Sequence, residues 1–165
     1  MIMSNRIDCF WEIGEAIGKM AVKLSQDQEL IRLLTDMSTN PLDEEKPDII
    51  LDIDFINGRI RTVPNVDTTK LKESTVVVLP TYGYTGENSS FSIVSLDIDI
   101  FNPTDKWSIN APIQRPYYIM SRIKSLLDNS RVTGIGTLRF DSFESNIIDS
   151  ETSLHTMRFI VDANS

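Results

Sequence analysis

The stretch FSIVSLDIDIF, residues 91–101, decides the fold. Ile93 and Ser95 alternate first, and Leu96, Ile98 and Ile100 then alternate with Asp97 and Asp99. Successive side chains of a strand point to opposite faces, so a period of two predicts a strand with one core face and one polar face. The phase slips between Ser95 and Leu96, which predicts a bulge there.

Upstream, Thr75 to Leu79 is a β-branched run that reads as a buried strand. Pro80 to Ser90, with two glycines and two tyrosines, reads as a long, mobile loop. Leu51, Ile53 and Phe55 alternate with Asp52 and Asp54, and Asn57-Gly58 is a two-residue turn signal, so a hairpin is expected over 49–63, stopped by Pro64. Asp43 to Pro47 reads as a charged surface loop. Nearer the start, Phe10, Ile13, Gly14, Ile17, Met20, Ala21 and Leu24 recur at helical spacing. Ser25 with Gln28 resembles a capping box that opens a second short helix carrying Leu30, Ile31, Leu33, Leu34 and Met37, ended by Thr39, Asn40 and Pro41.

Downstream, residues 102–115 are irregular. A third helix is expected from Pro116 to Asp128, with Ile119, Met120, Ile123, Leu126 and Leu127 on its apolar face. Gly136, Leu138 and Phe140 alternate in one further strand, and His155, Met157, Phe159 and Val161 in another; the acidic stretch Glu144 to Glu151 reads as a wide loop between them. This order predicts an α+β fold, a mainly antiparallel β-sheet packed by N-terminal helices and one later helix. A single domain is expected over 1–165, with a helical part at about 5–38 and the sheet plus helix at about 48–162.

The 24 acidic residues against 16 basic ones give a net charge of −8, which disfavours tight sequence-independent binding to phosphate. Cys9 is the only cysteine, so no internal disulfide forms and a reducing compartment fits. The start lacks a basic flank followed by a clean apolar stretch, so no signal peptide is expected, and no apolar run is long enough to cross a bilayer.

Little in the chain carries catalytic chemistry. His155 is the only histidine and lies in an expected strand, so neither a triad nor a His-pair metal site is readable, and no cofactor or enzymatic activity is expected. Asp52/Asp54 and Asp97/Asp99 each present two carboxylates on one strand face; that arrangement suits a divalent cation, but a solvated polar face explains it more simply. No phosphate-binding glycine motif is present, and Gly134-Ile135-Gly136 reads as a turn. Arg59, Arg61, Lys70 and Lys72, and then Arg115, Arg122, Lys124 and Arg131, read as ordinary surface charge.

Aromatic residues on loops are typical interface anchors, which makes Tyr82, Tyr84, Phe91, Phe101, Trp107 and Tyr117 candidate protein-contact residues. Open sheet edges would add a second means of docking.

The succession DQELIRLL (27–34), RIRTVPNVD (59–67), STVVVLP (74–80), FSIVSLDIDIFNPTDKWSI (91–109), YYIMSRIKSLLDN (117–129), GIGTLRFDSF (134–143) and HTMRFIVD (155–162) resembles the tail terminator, or neck, proteins of long-tailed bacteriophages. The resemblance implies a structural virion protein, assembled in the host cytoplasm, that forms a ring of usually six subunits. The ring caps the tail tube and joins it to the head connector or stopper protein, next to a sheath protein where one is present. Genomic DNA passes non-specifically through the lumen, and no membrane is involved. Six copies would carry about −48, and an acidic lining would let DNA slide. The expected ring contact continues the sheet between neighbours through strands 91–101 and 154–162. Other readings are a different neck, head-completion or baseplate subunit, a small carboxylate-dependent metal enzyme, or a ligand-binding module using loop 80–90.

Overall fold

A computed structural model describes residues 9–85 and 91–162, apart from the side chains of residues 9, 85, 91, 92 and 162. Among these residues three α-helices, α1 (Cys9–Ser25), α2 (Gln28–Thr35) and α3 (Arg115–Leu127), pack on a five-stranded sheet. Its strands are β1 (Ile60–Arg61), β2 (Thr75–Thr85), β3 (Phe91–Pro103), β4 (Thr137–Ile147) and β5 (Thr152–Asp162), in the spatial order β1-β2-β3-β5-β4. All neighbours are antiparallel except β1 and β2. The α+β class read from the sequence is the class observed.

The core follows from the period-two pattern. Val94, Leu96, Ile98 and Ile100 of β3 face Val161, Phe159, Met157 and His155 of β5 in register. Val76 and Val78 flank them on one side and Leu138 on the other, all buried. Ile13, Ile17, Met20, Leu24, Leu30, Leu33, Leu34, Ile119, Ile123 and Leu127 close the core from the helix side. Each such side chain contributes roughly 1.5–3 kcal/mol of burial. Phe10 and Gly14, expected on the inner face of α1, are exposed, and Ala16 takes an inner place instead.

Several boundaries differ from the expectation for definite reasons. Alternation in β3 is unbroken from Ile93 onward; the bulge lies opposite, in β2, where Thr81 is extra between Pro80↔Leu96 and Tyr82↔Ser95. Pro80 to Thr85 is therefore strand rather than loop, and residues 86–90 lie outside the described part. Pro80 is tolerated because its missing N–H falls on the free side of β2. Likewise β4 runs to Ile147, so the turn into β5 is short.

The expected hairpin over 49–63 is absent. Asp54 accepts the N–H groups of Ile56 and Asn57 (2.9 and 3.0 Å), and Gly58 N–H donates to Asp54 O (2.9 Å), so Asn57-Gly58 completes a turn capped by its own aspartate. Ahead of that turn the chain is pinned by side chains. Gln28 donates to Ile49 O and accepts from Ile49 N–H, at 2.8 and 3.0 Å, as a neighbouring strand would. The cap of α2 is Asp27, whose side chain accepts from Leu30 N–H at 2.9 Å; Ser25 instead donates to Val22 O at the end of α1.

Two polar devices bind the helices together. Asp27 also receives Arg122 of α3 through two hydrogen bonds, and Arg122 reaches Glu29, which accepts from Tyr118. The Arg122 hydrogen bonds lower the Asp27 pKa against its burial. Arg115, expected at the surface, is fully buried at the start of α3. Its guanidinium donates to Leu33 O, Asp36 O, Ser38 O and Lys106 O at 2.7–2.8 Å, closing the C-terminal end of α2.

Candidate interaction surface

Five of the six candidate aromatics fall into two separate groups, and Phe101 stands apart from both. Tyr82 and Tyr84 lie on the sheet face away from the helices, opposite Ser95 and Ile93, and are 61% and 58% exposed. Phe91 pairs with Thr85 through its backbone, and its side chain lies outside the described part. Phe101 is half-buried six residues from Ser95, roughly 20 Å along β3, between Thr75 and Leu154. Trp107 and Tyr117 are in the second group. Their rings lie 5.6 and 5.8 Å from the His155 ring and 6.3 Å from each other, and Trp107 Nε1–H donates to Ser153 Oγ at 3.2 Å. Trp107 is thus a packing residue rather than a free anchor.

The polar residues are mostly engaged within the chain. His155 is buried on the core side, with Nδ1 2.8 Å from Ser145 Oγ; burial pushes its pKa down, toward the neutral form. Asp97 takes both Nε–H and Nη2–H of Arg158, at 2.9 and 2.8 Å. Asp99 accepts from Thr156 at 2.6 Å, and its pKa is raised by burial first and then by the nearby Asp97 charge. Asp52 and Asp54 are exposed in the irregular segment, and Asp54 serves its turn. Among the described residues no three His, Cys, Asp or Glu side chains converge as a metal site. Arg59 pairs with Glu73 (3.1 Å), and Arg61 donates to Gly58 O, Asn57 O and Asn65 O.

The sheet edges also leave backbone unpaired among the described residues. Leu138 exchanges hydrogen bonds with Asn129 and Ser130 on the outer side of β4, and Phe140 N–H donates to Asp128. Beyond Asp141, an extra residue in the ladder, the outer side of β4 has no such partner among the described residues. On the far side, Arg59 O accepts from Val76 N–H and β1 covers Val76 and Val77, but Pro80 to Tyr84 are exposed and have no strand partner on that side among the described residues. Strands 91–101 and 154–162, expected to continue the sheet into a neighbour, are its interior strands. The open β4 segment carries Phe143 and Ile147, 59% and 63% exposed, a pair the sequence reading missed by assigning most of it to a loop. The alternation of Phe143, Ser145 and Ile147 was the signal.

A family model, YomW, matches residues 27–159, from the cap of α2 into β5. The chain belongs to the YomW family. No curated protein matches it. The matched span holds α2, α3 and nearly all of the sheet; α1 precedes it.

In this YomW-family sheet the negative charge is not concentrated on the face away from the helices. Among the described side chains there, Asp97, Asp99 and Glu144 are accompanied by Arg61, Arg139 and Arg158. Acids are also dense at residues 43–54 and at 141–151, a span that contains no basic residue, although Asp141 and Glu144 lie close enough to Arg158 to raise its pKa.

Proposed function

We propose that this protein is a non-enzymatic structural virion subunit: a tail terminator ring that caps the tail tube, meets the head connector and leaves a lumen for DNA. The observation that carries the reading is a sheet that, among the described residues, leaves backbone unpaired at both edges, along Pro80 to Tyr84 of β2 and beyond Asp141 of β4. Such a chain is equipped to polymerise through backbone pairing. Membership of YomW, whose name is of the kind given to prophage genes, supports a phage setting. If the sheet face away from the helices lines the lumen, its mixed charge gives DNA little to adhere to, while the acidic segments at 43–54 and 141–151 favour solubility.

The test is deletion of the gene from a phage that carries it, followed by electron microscopy of the particles. Tails of uncontrolled length without heads are expected. Normal tail length with normal head joining would overturn the reading, and normal tail length with unattached heads would move the protein to a head-completion role.

A further inference from the structure

The two open edges lie at opposite ends of the sheet. In an antiparallel ladder every second residue turns its N–H and C=O away from a given partner. Val76 points away from β3, so Val78, Pro80 and, past the Thr81 bulge, Gly83 do so too. Leu138 and Phe140 point away from β5, so past the Asp141 bulge Phe143, Ser145 and Ile147 do so. Strand directions alternate from β2 through β3 and β5 to β4, so β4 of one copy meets β2 of a copy in the same orientation as an antiparallel neighbour.

We propose, on the basis of the ring reading above, that β4 of one subunit pairs with β2 of the next, with Phe143 opposite Gly83 and Glu144 opposite Tyr82. Faces match in this register: Phe143 and Gly83 share the helix side, and Glu144 and Tyr82 share the other. Phe143 then covers a glycine that offers it space. Residues 80–85 carry no charge, so Glu144 and Asp141 meet no like charge. A symmetric β4–β4 contact would set these acids against themselves, which is unfavourable.

The register also has the stagger that closure needs. Tyr82 is level with Ser95 and Glu144 with Asp99, an offset of four residues along β3. That is roughly 13 Å along the strands for roughly 19 Å across four strand spacings, a tilt of about 35°, within the range of closed barrels. A ring of level subunits with tilted, continuous strands follows.

Oxidative cross-linking of a chain carrying Tyr82→Cys, Glu144→Cys and Cys9→Ser tests this. Within one subunit these positions are roughly 19 Å apart, beyond the reach of a disulfide. A ladder of linked subunits ending in a closed species is expected, both from purified protein and from particles. Adding Phe143→Lys should reduce linking at least tenfold with an unchanged circular dichroism melt. Three results would overturn the proposal: no linking in either source, equal linking by the Glu144→Cys single variant, or stronger linking by an Arg61→Cys/Glu144→Cys pair. A ring that fails to link at 82/144 refutes this edge and leaves the terminator reading standing. A linked ring whose deletion leaves tails normal refutes the terminator reading and leaves the edge standing.

Discussion

Arg115→Met should be among the most damaging single substitutions in this chain. The side chain is fully buried, and its guanidinium serves four carbonyls at 2.7–2.8 Å. Methionine fills much of the same volume but donates nothing. A buried acceptor left without a donor costs about 1–3 kcal/mol. Water can reach some of the four, since Ser38 is exposed and Lys106 half-exposed. Taking the low end for each gives a loss of about 4 kcal/mol, a large part of the roughly 5–15 kcal/mol that holds a domain folded. For a chain of this size that lowers the melting temperature by about 8–16 °C. Urea unfolding followed by circular dichroism measures it, with an unchanged slope to show that the same surface is exposed. Arg115→Lys keeps the charge without the planar fork, and should lose about half as much. A methionine variant within about 1 kcal/mol of the parent would refute the claim that these bonds close α2.

Burial holds His155 neutral, so the unfolded chain binds the extra proton; stability is complete above the ordinary value of 6.5 and falls as pH drops below it. Asp99, with its raised pKa, has the opposite slope at lower pH, so the urea midpoint of His155→Gln, flat from pH 7.5 to 5 where the parent declines, isolates the histidine. Burial opposes ionisation of Asp36, but the Lys46 ammonium and the Ser38 hydroxyl and N–H outweigh it and hold the pKa at about 2. The stability this gives is present above 3.8 and lost as pH falls from 3.8 towards 2, and Asp36→Asn should abolish that acid limb in the same titration. Trp107→Ala removes the ring contacts to His155 and Tyr117 and should cost about 2–3 kcal/mol in urea unfolding, a monomer effect that would be absent if the ring were a free anchor.

Much of the fold was legible because the core positions obey simple periods. Ile98, Ile100, Met157, Phe159, Ile119 and Ile123 all face where their spacing puts them. The failures share a physical origin, in contacts between residues far apart in the chain. Asn57-Gly58 is a hairpin signal only if its flanks pair, and Gln28, 21 residues upstream of Ile49, holds one flank elsewhere. Arg115 looked like surface charge because nothing local reveals carbonyls from residues 33–38 converging on it. The aromatics form one class in the sequence, yet Tyr82 is exposed while Trp107 is packed, a difference set by what the fold brings to each.

The position of β5 has a consequence for biosynthesis. Among the described strands it is the last in chain order, but it lies between β3 and β4. Until residues 152–162 have been synthesised and inserted, β3 and β4 are not joined, and Leu96, Ile98 and Phe140 border an empty slot. A nascent or truncated chain therefore exposes two additional strand edges, which a chaperone or another nascent copy can occupy. Insertion of β5 removes both at once, so completion of the sheet is a single late event rather than a gradual one.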